Sequence, residues 1–380
     1  MAGCPIDPVK CKSTKSWDIR TGCNGIRALN GLKKAVIRAG LETLYFSGAH
    51  ALMQPFVGGV GAILTLHHVR PRRADAFQPN QLLEVTPRFL ESVVHRLRRA
   101  RLDLISLDEM HRRLTERDFK RRFVCMTIDD GYRDTLQFAY PILKHNEVPF
   151  ALYIPTSFPD RLGELWWRAL EAVVARNERI ILMVDDRERG FDCATLDDKR
   201  HVYDQLYKWV RSFKTEDELR RVVRDLSARY RVDIAAFCEQ LCMTWEELGR
   251  LAADPLVTIG AHTVNHVMLA KTPERQARAE MAMSRSVIEA SLGVRPEHLS
   301  YPVGDPSSAG VREFRIAAEL GFKTAVTTRP GVIFPEHAQH LTALPRISIN
   351  GEHQQSRYIG VLLSGAATAM WNGFRRVDAA

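Results

Sequence analysis

The 380-residue sequence lacks the features that mark several large classes of protein. Its seven cysteines have no repeated spacing, which argues against a disulfide framework and against a zinc ribbon. The first 30 residues contain no apolar core of the length that a secretory signal needs. No segment reaches the roughly 20 apolar residues that span a bilayer. We therefore expect reduced thiols and a cytoplasmic location.

The charge of the chain is positive but does not identify a partner. Lys and Arg number 54 against 45 Asp and Glu, which gives a formal net charge of +9. Basic runs at 70–73, 96–101 and 120–122 are typical of solvated helix faces, and they also suit an anionic surface. No zinc finger or other nucleic-acid motif accompanies them, so we expect no nucleic-acid partner. A peripheral contact with an anionic membrane surface stays open, and the sequence does not indicate an oligomeric state.

The order of apolar segments predicts an α/β protein. Strand and helix patterns alternate over 62–154 and again over 256–349, which is typical of a parallel sheet or barrel. Long amphipathic helical patterns replace the alternation in between. We predict an N-terminal leader and helix at 1–56, with the helix at Gly31–Met53 and a polar segment at 1–30. A barrel follows at 57–350 with a helical insertion at about 166–250, and then a C-terminal helix at 351–380.

Two short motifs carry the candidate chemistry. Asp129 and Asp130 end one apolar run and are followed by glycine, while His262 and His266 end another. Each pattern alone also occurs as a helix cap or as a helix face. Together, at strand ends where barrel enzymes gather their catalytic groups, they indicate a site. One acid and two imidazoles are a common first shell for catalytic zinc, and the second acid is then available as a base.

These segments resemble the motifs of the polysaccharide deacetylases, carbohydrate esterase family 4 with the NodB-homology domain. Residues 127–131 (TIDDG) and 262–266 (HTVNH) are similar to the first two motifs, and 300–304 (SYPVG) is a weaker match to the third. The resemblance implies a distorted (β/α) barrel with about seven parallel strands. It also implies that Asp130, His262 and His266 hold a divalent metal, zinc before cobalt, manganese or iron, and that Asp129 is the general base.

The sequence departs from the family pattern around the third motif. Ser300 stands where the family has an arginine that tethers the base, so Asp129 is expected to be positioned differently. A backbone N–H, that of Val303, is the candidate donor for the oxyanion, and it tolerates the change of side chain. Arg346 is a further candidate that meets substrate or Asp129, with a helix end or a surface partner as the alternative.

The general acid is the open role, because no Leu-x-His sequence follows in the C-terminal part. His67 and His68, directly after the first strand, are the candidates. Exopolysaccharide-biosynthesis deacetylases carry a Tyr-His pair at a similar position. The alternatives are that either histidine only binds loop backbone, or that His262 or His266 has a double role.

The expected function is a metal-dependent hydrolase that removes N-acetyl groups from N-acetylhexosamine units. Its substrate would be an acetylated glycan or a glycolipid precursor, as for the chitooligosaccharide deacetylases that the chain resembles. An O-acetyl esterase with the same site is an alternative. A catalytically inactive glycan-binding or scaffold protein is another, because the third motif is weak.

Overall fold

A computed structural model describes residues 23–184 and 187–379, so most of the predicted polar segment at 1–30 lies outside the described residues. The chain forms two compact units. The smaller unit includes 23–36, Ala74–Asn80 and Leu165–Ile234, and the larger one includes Ile37–Arg73, Gln81–Glu164 and 235–379. None of the helices in the described ranges combines the length and the apolar character needed to cross a membrane.

The strands, numbered in chain order, are β1 (Gly61–Leu66), β2 (His68–Val69), β3 (Glu84–Val85), β4 (Asp103–Leu104), β5 (Phe123–Ile128), β6 (Phe150–Ile154), β7 (Arg179–Val184), β8 (Arg187–Asp192), β9 (Val257–Ala261), β10 (His298–Ser300), β11 (Thr324–Pro330) and β12 (Leu344–Ser348).

The helices are α1 (Cys23–Phe46), α2 (Ala49–Val57), α3 (Pro87–Arg99), α4 (Leu107–Glu116), α5 (Tyr140–His145), α6 (Trp166–Arg176), α7 (Leu196–Ser212), α8 (Glu216–Arg229), α9 (Ala235–Leu241), α10 (Trp245–Ala252), α11 (Glu274–Leu292), α12 (Val311–Glu319), α13 (Ser356–Leu363) and α14 (Ala366–Trp371).

The larger unit is a closed parallel barrel, which confirms the predicted (β/α) fold. Seven strands pair in the order β1-β12-β11-β10-β9-β6-β5, and β5 pairs back to β1. Every pairing between these strands is parallel. The short β4 extends the sheet beside β5. Parallel strands put all their carboxyl ends at one end of the barrel, where active sites of this architecture lie.

Side chains alternate between the barrel interior and the surrounding helices. Ile63, Cys125 and Tyr153 belong to an interior cluster, whereas their neighbours along the strands pack outward. Gly260 lies against Tyr153, and a Cβ at this position would be 2.4 Å from Tyr153 Cδ1, so only glycine fits. Because side chains on a strand repeat every second residue, the same alternation directs residues 67, 129, 262, 300 and 346 inward at the carboxyl ends of their strands.

Glycines divide two segments that the sequence predicts as single helices. The helix predicted at Gly31–Met53 is two helices, α1 and α2, since Gly48 adopts a left-handed conformation with φ 71°. The predicted C-terminal helix within 351–380 is likewise α13 and α14, separated at Gly365 with φ 77°. Left-handed backbone ends an α-helix and is easiest for glycine. A Cβ on Gly365 would also lie 1.9 Å from the Val57 carbonyl oxygen.

The smaller unit contains the helices α6, α7 and α8 and the antiparallel hairpin β7–β8. Thr195 begins α7 with a capping box that includes Asp198. The unit ends at Ile234, so α9 and α10 belong to the larger unit although the sequence places the insertion as far as about residue 250.

Candidate metal centre and active site

Three candidate metal ligands converge at the carboxyl end of the barrel. Asp130 follows β5, and His262 and His266 follow β9; all three side chains are buried, and one ligand atom from each lies within 4.8 Å of the others. Asp130 Oδ1 is 3.2 Å from His266 Nε2 and 3.5 Å from His262 Nε2. Within the described ranges this is the only group of three His, Cys, Asp or Glu side chains with such a geometry.

The chemistry of these donors fits a divalent cation. His262 Nδ1 lies 2.7 Å from the Ser300 carbonyl oxygen, which requires an N–H at Nδ1 and leaves the lone pair on Nε2, facing Asp130. Asp130 Oδ1 is buried, and no donor among the described residues is aligned to bond it. Burial would raise the pKa of Asp130, but the adjacent His266 and His262 hold that pKa well below its usual value. A carboxylate and neutral imidazoles are the forms that bind metal.

A buried glutamate holds the loop that carries the two histidines. Glu280 of α11 accepts hydrogen bonds from the backbone N–H groups of Val264 and Asn265, both at 2.9 Å, and from the Asn265 amide at 2.8 Å. Thr263 and His266 have left-handed φ angles of 64° and 54°. Such backbone is unfavourable for these residues and persists only where the surroundings enforce it. Glu280 is a positioning residue that the sequence did not reveal.

Asp129 forms a buried bidentate ion pair with Arg346. Arg346 Nη1 donates to Asp129 Oδ1 at 2.8 Å and Nη2 to Oδ2 at 2.7 Å, and the arginine side chain is fully buried. Ser300 Oγ lies beside the pair, accepting from Arg346 Nη2 at 3.1 Å and donating to Asp129 Oδ2 at 3.4 Å. Burial would raise the pKa of Asp129, but Arg346 lowers it below its usual value, so the carboxylate is ionised at neutral pH.

His68 is buried and hydrogen-bonded to a carboxylate. Its Nδ1 lies 2.6 Å from Asp134 Oδ2, and its ring stacks on Tyr132 with a centroid distance of 3.7 Å. Asp134 Oδ1 also accepts from the Val69 backbone N–H at 3.3 Å. A carboxylate in this position selects the Nδ1–H tautomer and fixes the ring. Asp134 was missed at the sequence level, where the only signal is a third acid close behind the Asp129-Asp130 pair.

His67 has a different environment from its neighbour. It is half-buried and directed toward the barrel interior. Burial lowers the pKa of His67, although the nearby Asp130 and Asp129 act in the opposite direction. The imidazole is consequently neutral near pH 7, and the two candidate histidines are not equivalent.

Val303 presents an available backbone donor after β10. It adopts a left-handed φ of 62°, and Gly304 follows with φ 69°. The Val303 carbonyl accepts from Thr328 Oγ1 at 2.7 Å. Its N–H donates to no residue of the described ranges. The turn therefore has a fixed N–H group close in sequence to Ser300.

The sequence model of the family described as "Polysaccharide deacetylase" matches residues 195–325. This range contains His262, His266 and Ser300, and the barrel adds Asp129 and Asp130 to the same end. Over about a third of its length the chain is therefore similar to the polysaccharide deacetylase family. A match to this family model supports glycan deacetylation as the activity.

The chain is also similar to several solved structures. A Streptococcus pyogenes deacetylase, PplD in complex with acetate, is 18% identical, with 76% of this chain and 92% of that chain covered and a TM-score of 0.49. IcaB from Ammonifex degensii is 17% identical, with 76% and 91% covered and a TM-score of 0.47. The BpsB deacetylase domain from Bordetella bronchiseptica is 16% identical, with 76% and 94% covered and a TM-score of 0.44. No curated protein matches the chain.

Proposed function

We propose that this protein is a polysaccharide deacetylase, a metal-dependent hydrolase that removes N-acetyl groups from N-acetylhexosamine units of a glycan or glycolipid precursor. The observation that carries the proposal is the buried Asp130–His262–His266 triad next to a second carboxylate, Asp129, that Arg346 keeps ionised. The triad has the composition of a catalytic zinc site with an open position. Zinc is the metal we propose, and the cytoplasmic location stays a prediction.

The reaction adds water across an amide and releases acetate and an amine. A cation held by Asp130, His262 and His266 would act as a Lewis acid and lower the pKa of water. Asp129 accepts the proton of the attacking water, for which its ionised state is required. The Val303 N–H donates a hydrogen bond to the carbonyl oxygen as negative charge develops there. Such a donor is typically worth about 3 kcal/mol in the transition state.

We assign the general acid to His68 in preference to His67. The departing amine nitrogen needs a proton, so its donor must be able to exist as an imidazolium. Asp134 is hydrogen-bonded to Nδ1 of His68. It stabilises an imidazolium when one forms, as the aspartate of a catalytic triad does. No carboxylate of the described residues is hydrogen-bonded to His67, and burial lowers the pKa of His67. His67 is then a neutral group that meets the substrate.

Glutamine variants of His67 and His68 distinguish the roles of the two histidines. His68→Gln is expected to lower kcat by about 100-fold, since a positioned acid contributes at least that factor, with little change in KM. Asp134→Asn should lower kcat by a smaller factor, because it removes the carboxylate that fixes the His68 ring. His67→Gln, the matched control one residue away, should mainly change KM. The assignment is reversed if His67→Gln has the larger effect on kcat.

Metal content and acetate release test the function directly. We expect protein purified without chelators to contain about one equivalent of a divalent metal by elemental analysis, and His262→Ala/His266→Ala to contain none. Acetate release from N-acetylglucosamine oligomers should stop on removal of the metal and return with zinc. Protein that takes up no metal from excess zinc would rule out the hydrolase mechanism.

Two alternatives differ in what supports them. An O-acetyl esterase would use the same groups, and parallel assays with O-acetylated and N-acetylated glycans decide between the two. An inactive glycan-binding protein is disfavoured by the buried pair of Asp129 and Arg346. Ionic groups of this kind are expensive to bury, and hydrophobic residues of similar volume are often as stable. Their presence beside an intact metal triad favours a working site.

A further inference from the structure

A cavity lies in the larger unit between α2, α3 and α13. Its volume is about 480 Å³, within the range of small-molecule sites. Arg122 lines it and immediately precedes β5, while Asp129 follows the other end of that strand. Six residues of strand span roughly 20 Å. The cavity is therefore at the amino end of the barrel strands, opposite the candidate active site.

All the ionisable side chains that line this cavity are basic. Three arginines and two histidines contribute to it, and no carboxylate does: His50, His95, Arg96, Arg99 and Arg122. Arg122 donates to the carbonyl oxygens of Gly59 at 3.2 Å, Gly58 at 2.5 Å and Leu363 at 2.7 Å, which solvate its charge without neutralising it.

The other two arginines of the cavity lie without a carboxylate partner among the described residues. Neither Arg96 nor Arg99 forms an ion pair within the described ranges, whereas Arg112, Arg113 and Arg357 each contact a carboxylate. Clustered cations without counter-ions repel one another and are costly where they are partly buried. The cavity therefore has an excess of positive charge that an anion would offset.

A glycine on α13 sets the position of one of these arginines. A Cβ built on Gly360 would lie 2.2 Å from Arg96 Nη2 and 3.0 Å from Arg96 Cζ. The guanidinium can lie against the helix only because residue 360 has no side chain. Since Arg96 is the flexible partner, a side chain at 360 would displace its guanidinium while leaving the helix intact.

We propose that this cavity binds a phosphate-bearing anion, with Arg96 and Arg99 as its principal contacts. Guanidinium groups bind phosphate oxygens through paired hydrogen bonds. A ligand with a single carboxylate would not use all the donors of two guanidinium groups. The volume admits a diphosphate or a lipid headgroup. Leu52 and Phe56, on the same helix as His50, are 76% and 75% exposed and would suit the apolar part of a lipid. The site is independent of the deacetylase reaction proposed above.

Calorimetry with inorganic pyrophosphate tests one source of this ligand, using full-length protein from which chelator-extractable metal has been removed. The Arg96→Gln/Arg99→Gln variant should bind about tenfold or more weakly, because hydrogen bonds to charged groups are the strong ones. Arg88→Gln is the matched control, since Arg88 is exposed on the same helix and does not line the cavity. Gly360→Ala, which keeps every charge, should also weaken binding by several fold.

Co-sedimentation with phosphatidylcholine vesicles, with and without phosphatidylglycerol, tests the other source. Saturable pyrophosphate binding that depends on Arg96 and Arg99 supports a soluble ligand. Binding only to the anionic vesicles with the same dependence supports a headgroup. The proposal is overturned if neither probe binds. It is also overturned if wild type and the double variant bind equally and thermal unfolding shows that both proteins are folded. Deacetylase activity of both proteins, measured after zinc has been restored, separates this result from any failure of the active-site assignment.

Discussion

Replacing Asp129 with asparagine is expected to lower kcat by about 10²- to 10⁴-fold while metal content stays at the wild-type level. Asparagine has nearly the same shape as aspartate but cannot accept a proton from the attacking water. Asp130, His262 and His266 are unchanged in this variant, so the metal should remain bound. The loss should be in kcat and not in KM, because the proton transfer belongs to the transition state.

The measurement combines acetate release from N-acetylglucosamine oligomers with elemental analysis of the same samples. Asp118→Asn is the control, since Asp118 forms surface ion pairs with Arg112 and Lys120 and should keep the wild-type rate. Retention of more than about a tenth of the activity would place the base elsewhere. Loss of metal from Asp129→Asn would make Asp129 a ligand. If Asp129→Asn and wild type both bind glycan and neither releases acetate, the binding-protein alternative is favoured.

The barrel and the metal triad were predictable because their signals are local. Each strand appears in the sequence as a short apolar run, and Asp130 and His262 come directly after such runs. Parallel strands that close into a barrel bring those ends together whatever the intervening chain does. The left-handed glycines that divide the terminal helices are less visible, because a helical pattern continues on both sides of Gly48.

The groups around the triad were not predictable to the same degree, because their partners are distant in sequence. Arg346 is 217 positions from Asp129, and the pairing of β1 with both β5 and β12 is what brings the two together. The sequence left Arg346 with several roles and noted only that Ser300 replaces an arginine. In the structure the arginine comes from β12 instead. His68 and Asp134 are 66 positions apart and meet for the same reason.

Replacing Arg346 with methionine is expected to lower the free energy of unfolding by roughly 3 to 5 kcal/mol near neutral pH. Methionine fills much of the volume but leaves the Asp129 carboxylate buried without its counter-charge. Arg346 also donates to the Thr327 carbonyl oxygen at 2.8 Å and to Thr127 Oγ1 at 3.1 Å, and both acceptors lose their donor. Urea unfolding at pH 7 measures the difference.

The pH dependence distinguishes this electrostatic role from simple packing. In the wild type the pKa of Asp129 is lowered, so the ion pair stabilises the fold above the pKa of an unfolded aspartate and stops doing so as pH falls through the folded pKa. Without Arg346, burial loses its strongest opposing influence, so the Asp129 pKa should rise. Protonation then relieves the buried charge, so the stability deficit of the variant should shrink as pH falls. The acid limb of kcat/KM should move to higher pH for the same reason.

The double variant Asp129→Asn/Arg346→Met completes the cycle. Because it removes both charges, it should regain part of the stability lost in Arg346→Met, and its stability relative to wild type should depend less on pH than that of the single variant. A deficit that is the same at every pH, with no recovery in the double variant, would mean that Arg346 acts only by packing. Recovery together with a shifted acid limb would make Arg346 the residue that keeps the base ionised, the role that the resemblance implies for an arginine in the third motif.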